Sequence, residues 1–117
     1  MSSKIKVYLS GPITGIESKS APMFSEAEND LTQQGYHVVN PWKLDHTHDQ
    51  KWENYMATDI TALLECDCIC MLPGWEHSRG ARLELAIAMN RGMSYIYWKE
   101  PSPGCDRLYP PGEADFL

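Results

Sequence analysis

The stretch DCICMLPGWEHSRGARLELAIAMNRGMSYIYW, residues 67–98, decides the fold. Asp67 to Leu72 read as a strand, and Pro73-Gly74 breaks it. From Ser78 or Arg79 onward, Ala81, Leu83, Leu85, Ala86, Ala88 and Met89 recur at helical spacing until Gly92 closes the run. Ser94 to Trp98 is strand-like again. A strand that returns to its sheet through a helix re-enters it in the same direction, so this unit predicts a parallel pair. Toward the N-terminus the alternation repeats. Lys4 to Leu9 is rich in β-branched and aromatic residues and reads as a strand. Pro22 opens a helix as its first residue, after Ser20 or Ala21, with Phe24, Ala27 and Leu31 on one face and Gly35 as the stop. Tyr36 to Val39 is a strand ended by Asn40-Pro41, and a polar stretch from Trp42 to Gln50 follows. Trp52, Tyr55, Met56, Ile60, Leu63 and Leu64 then mark a second helix. The whole pattern predicts an α/β domain on a parallel sheet.

Composition sets the outer bounds. The chain has 117 residues, of which 43% are hydrophobic and 22% charged, as in an ordinary single domain. Sixteen Asp+Glu against 10 Lys+Arg leave a formal net charge of −6. A nucleic-acid polymer needs a basic face to displace its counterions, so none is expected as a partner. No apolar run approaches the roughly 20 residues of a membrane span, and Met1-Ser2-Ser3-Lys4 leads into a strand, not a secretory signal. The expectation is a cytoplasmic protein without a membrane partner. Cys66, Cys68 and Cys70 alternate at period two, which points all three to one face of a strand as small buried hydrophobes. Zinc sites usually show two-residue gaps and disulfide frameworks belong to secreted domains, so packing is the expected role. From Lys99 the chain carries Pro101, Pro103, Pro110 and Pro111 with Gly104, Gly112 and a lone Cys105. It therefore divides into an α/β domain over 1–98 and a proline-rich arm over 99–117.

Ligands of an open parallel sheet sit at the carboxyl ends of its strands. Three segments converge there: Ser10-Gly11-Pro12-Ile13-Thr14-Gly15, Asn40-Pro41-Trp42, and Pro73 to Gly80 with Gly74 and Trp75. Ser78, Arg79 and Gly80 place a hydroxyl, a guanidinium and open backbone at a helix start, which suits either an anion or a simple cap with a solvated arginine. Glu84, six residues after Ser78, is a carboxylate among apolar neighbours. It is either a surface residue paired with Arg82 or Arg91, or a nucleophile near the strand ends. Asp59 reads as a solvated helix residue or a site acid, Asp67 as a cap between helix and strand, and Tyr8 as core or as a hydroxyl near the strand end. Trp42 and Trp75 suit stacking on a planar base, or lids over the core. Asp45-His46-Thr47-His48-Asp49 and His77 lack a fixed third ligand, so no metal is expected.

Together, Tyr8-Leu9-Ser10-Gly11-Pro12-Ile13-Thr14-Gly15, Val39-Asn40-Pro41, Asp59 with Asp67, and Leu72 through Glu84 resemble a bacterial and phage domain-of-unknown-function family grouped with the nucleoside 2-deoxyribosyltransferase superfamily. The resemblance covers roughly residues 4–98. It implies a flavodoxin-like doubly wound, mainly parallel sheet of four or five strands with helices on both faces. It also implies cleavage or exchange of the N-glycosidic bond of a nucleoside or nucleotide, without metal or organic cofactor, in a homo-oligomer. Carried over, Glu84 is the nucleophile, Asp59 handles the base, Tyr8 orients Glu84, and Ser78 contacts the sugar or its phosphate. Ser10, Gly11, Pro12, Ile13, Pro41, Trp42, Asp67, Gly74, Trp75, Arg79 and Gly80 complete the expected site. The helix start at Ser78 and Arg79 would hold a 5′-phosphate. Two other readings fit the same scaffold: a non-catalytic nucleotide sensor, and a nucleoside monophosphate phosphoribohydrolase, whose glycine-rich motif Pro73-Gly74 with Gly80 and Glu84 loosely resembles.

Overall fold

A computed structural model describes residues 4–46 and 51–99. His48, Asp49, Cys105 and the expected arm beyond Lys99 lie outside the described residues. The elements in order are β1 (Lys6–Ser10), α1 (Glu17–Gln33), β2 (His37–Val39), α2 (Trp52–Leu64), β3 (Cys68–Met71), α3 (Arg79–Arg91) and β4 (Ser94–Tyr97). Single 3-10 turns at Pro41–Lys43 and Trp75–His77 follow β2 and β3.

The four strands pair in parallel in the order β2-β1-β3-β4. From β1 the chain steps outward to β2, then passes back over β1 to reach β3, so the direction of winding reverses between β1 and β3. Connections leaving those two strands diverge and open a crevice at their carboxyl ends. The helices divide between the two faces. Val7, Leu9, Cys68, Cys70 and Leu72 pack with Phe24, Ala27 and Leu31 of α1. Tyr8, Ile69 and Met71 pack with Leu63 of α2 and Ala81, Leu85 and Ala88 of α3. This is the parallel α/β sheet that the alternation of elements predicts, with the doubly wound architecture that the family resemblance implies, in four strands.

Two local expectations are corrected. α1 starts at Glu17, and Pro22 lies inside it instead of at its first position. The Ile16 carbonyl accepts from the Lys19 and Ser20 N–H groups at 2.9 and 2.8 Å, which begins the helix a turn before the proline. Ser20 is fully buried in that added turn and accepts the Trp42 indole N–H at 3.2 Å. Tertiary packing therefore outweighs the hydrogen bond that Pro22 cannot donate. The three alternating cysteines also do not share a face. Cys66 precedes β3, donates to the Ala62 carbonyl that ends α2, and joins the α2–α3 side of the core. Cys68 and Cys70 alone lie on the strand and face α1. All three are buried free thiols, and burial pushes Cys66 up to about 11 and Cys70 up to about 12, as expected for packing residues.

Gly11 fixes the close approach of the first loop to β3. A Cβ there would lie 2.9 Å from the Leu72 Cβ, closer than any side chain tolerates. Among the described residues, no helix is long and apolar enough to cross a membrane.

Candidate active site

The period of two along β1 puts Tyr8 and Ser10 on the same face of the sheet, toward α3. Glu84 lies in the second turn of α3 and meets both. The Ser10 hydroxyl donates to Oε1 at 2.6 Å, and the Tyr8 hydroxyl donates to Oε2 at 2.9 Å. Glu84 is only 5% exposed, so the surface alternative with Arg82 or Arg91 does not hold. Burial pushes its carboxyl up to about 8; the Asp59 charge adds to the rise, while the bonds from Ser10 and Tyr8 oppose it. Burial, and then the Glu84 and Asp59 charges, hold the Tyr8 hydroxyl well above its ordinary value, so it remains a donor. Ser78 caps α3, its hydroxyl accepting the Ala81 N–H at 3.1 Å.

Glu84 lines a cavity of about 320 Å³ at the carboxyl edge of the sheet. The walls come from the starts and middles of the three helices, because each helix leaves that edge and runs back along the strands. Asp59 of α2, 7% exposed, lines it too, with the His46 Nε2 3.0 Å from its Oδ1. The His46 ring packs on Tyr55 at 4.8 Å between centroids. Trp42 forms one wall and is held by two hydrogen bonds. Its backbone N–H donates to the Asn40 side chain at 3.0 Å, its indole donates to Ser20, and Asn40 in turn donates to Glu28 at 3.0 Å. Trp52 forms another wall, with the Arg79 guanidinium 3.9 Å from its ring centroid.

Of the residues expected from the sequence, Tyr8, Ser10, Gly11, Ile13, Pro41, Trp42, Asp59, Ser78, Gly80 and Glu84 come together around this cavity. Five are placed elsewhere. Asp67 sits at the amino end of β3, where its Oδ2 accepts the Lys6 N–H at 2.9 Å; this is the capping alternative, at the opposite edge of the sheet. Trp75 is 1% exposed and packs in the core 6.1 Å from Tyr97, so it is a lid over the core and not a cavity wall. Pro12 and Gly74 pack on each other: Gly74 has a φ of +90°, and a Cβ there would meet the Pro12 ring at 3.1 Å. Arg79 is exposed and backs Trp52 without lining the cavity.

Thr14, Glu17, Phe24, His46, Trp52, Tyr55 and Met56 line the cavity although the sequence did not single them out for binding. The signal for several was present. Once a helix start after β3 is taken as part of the site, the helix starts after β1 and β2 belong there by the same topology. In the sequence His46 stands out only beside His48 as a metal candidate, and in the structure it pairs with Asp59.

Residues 5–97 match the model of a protein family described as a domain of unknown function, DUF4406, and the chain belongs to that family. No curated protein matches the chain.

Proposed function

We propose that this member of the DUF4406 family cleaves the N-glycosidic bond of a nucleoside or nucleotide, by hydrolysis or by transfer of the glycosyl group to a second base, with Glu84 as the nucleophile. The observation that carries the reading is the buried Glu84 carboxyl in the cavity, fixed by Ser10 at 2.6 Å and Tyr8 at 2.9 Å, with a second acid, Asp59, lining the same space. Two carboxyl groups of unequal surroundings are what a double displacement at an anomeric carbon requires.

In this mechanism one Glu84 oxygen bonds to the anomeric carbon as the C–N bond breaks, and the bonding pair leaves with the base. Asp59 in its acid form protonates the departing nitrogen. Water then gives a proton to the Asp59 carboxylate and attacks the anomeric carbon, which frees the sugar and restores Glu84. In transfer, an incoming base takes the place of water. Tyr8 and Ser10 hold Glu84 in one orientation throughout, and His46 beside Asp59 supports the proton exchange there. Trp42 and Trp52 offer flat faces to the base and sugar.

One observation favours a second reading, a binding module without turnover. With its carboxyl pushed up to about 8, Glu84 is largely neutral at pH 7, and a neutral carboxyl donates a hydrogen bond to a ligand more readily than it attacks carbon. The test is chromatographic. The protein is incubated with ribo- and deoxyribonucleosides and their 5′-monophosphates, with and without a second free base. Release of free base, or a new nucleoside formed only with added base, supports the glycosidase reading when Glu84→Gln abolishes it in a folded protein. Ligand binding that survives Glu84→Gln, with no base released by either form, supports the binding module instead.

A further inference from the structure

We infer that Glu17 is a specificity residue that excludes a 5′-phosphate, so that the cavity selects nucleosides with a free 5′-hydroxyl over their 5′-monophosphates. The inference rests on the reading above that this cavity takes a nucleoside or nucleotide. It narrows that reading and replaces the expectation that the start of α3 holds a phosphate.

The starts of all three helices reach the cavity, and a helix start ordinarily attracts an anion. At two of them an oxygen of the chain itself already engages a backbone N–H, in the loop before α1 and in the first turn of α3. At α1 the Glu17 carboxylate accepts the Gly15 N–H at 3.2 Å, which places a negative charge where the loop after β1 would otherwise cradle a phosphate. At α3 the Ser78 hydroxyl takes the Ala81 N–H at 3.1 Å. Glu17, Asp59 and Glu84 all line the cavity, and among the described residues no lysine or arginine does. Two cations nearby in sequence lie outside the lining. The Arg79 guanidinium stacks on Trp52 at 3.9 Å, and the Lys43 ammonium pairs with Glu28 at 3.0 Å. A phosphate dianion entering here meets three carboxyl side chains and no lysine or arginine among the described lining residues. A 5′-hydroxyl carries no such charge and can donate to Glu17. The aromatic walls are indifferent to this choice, since they contact base and sugar in either ligand.

The decisive experiment is calorimetric titration of the full chain, at low ionic strength, with adenosine, guanosine, cytidine, uridine, their deoxy forms and all the matching 5′-monophosphates. Base release is followed on the same samples. The best nucleoside is expected to bind at least about tenfold more tightly than its monophosphate, the scale of one like-charge contact in a partly screened site. Glu17→Gln is expected to narrow that ratio, and Glu17→Lys to close or invert it. Equal or tighter binding of the monophosphate by the wild type overturns the inference, even if base is released and the glycosidase reading stands. A ratio unchanged in both Glu17 variants overturns the role of Glu17. Nucleoside binding with the expected ratio but no base release supports the inference while removing the glycosidase reading. No binding by any panel member at millimolar concentration overturns both. Glu17 is exposed at a helix start, so its variants are expected to fold.

Discussion

Glu84 shows how a single residue can be legible in part. The glutamate stands out among apolar neighbours, but spacing along one helix cannot say that a strand 74 residues away supplies its hydroxyl partner. Ser10 and Tyr8 are visible as a period-two pair only once β1 is known to lie beside α3. The raised Glu84 pKa has two consequences. The unfolded chain loses this proton near the ordinary value of 4.5, while the folded protein keeps it to about 8. The folded state therefore binds more protons in that window, and stability falls with rising pH between those values, by an amount on the order of 1 kcal/mol per pH unit. Thermal melts of wild type and Glu84→Gln across pH 5 to 9 check this: the wild type is expected to lose stability relative to the variant up to about pH 8. Parallel curves would contradict it. The second consequence concerns rate. If Glu84 must be ionised to attack, kcat/KM for base release rises with pH through about 8. Tyr8→Phe removes a bond that lowers this pKa, so the midpoint in that variant is expected to move upward, with kcat/KM at pH 7 reduced by about tenfold or more. An unmoved pH profile would show that Tyr8 acts only as core.

At the scale of elements, the strands and helices were readable from alternation, and the misreadings have specific physical causes. Pro22 is a good helix opener in isolation, but the buried contact between Ser20 and Trp42 lies a turn earlier and extends α1 back to Glu17. The period-two run of cysteines looks like one strand face, but α2 ends at Leu64 and the chain is still turning at Cys66. The loop after β1 depends on Gly11, whose missing side chain lets it lie against Leu72 of the β3 exit. Gly11→Ala forces a Cβ to within 2.9 Å of another Cβ, and neither atom is the movable end of a side chain. The variant is expected to lose about 1–3 kcal/mol of stability and to displace Ser10 from Glu84, as overpacking does in a filled interior. Chemical denaturation measures the first effect. A variant as stable as wild type would show that the loop can move aside freely.

For the whole molecule, winding order matters more than any one motif. Because the direction reverses between β1 and β3, the open crevice, the starts of all three helices and the Tyr8–Ser10–Glu84 cluster fall at one edge of the sheet. That convergence was legible as a rule about parallel sheets, and it located Ser10, Trp42 and Ser78, while Asp59 and the role of Glu84 came from the family resemblance. Asp67 opens β3, as its reading as a cap between helix and strand has it, and the eight residues from Asp59 cover the last part of α2 and the turn into the strand, which places the two aspartates at opposite ends. The proposed function stands on Glu84 acting as a nucleophile at a glycosidic carbon. The most direct test is base release from the nucleoside and nucleotide panel by wild type and Glu84→Gln, with circular dichroism showing both folded. Free base, or a new nucleoside in the presence of added base, is expected from the wild type and none from the variant. Full turnover by folded Glu84→Gln would contradict it.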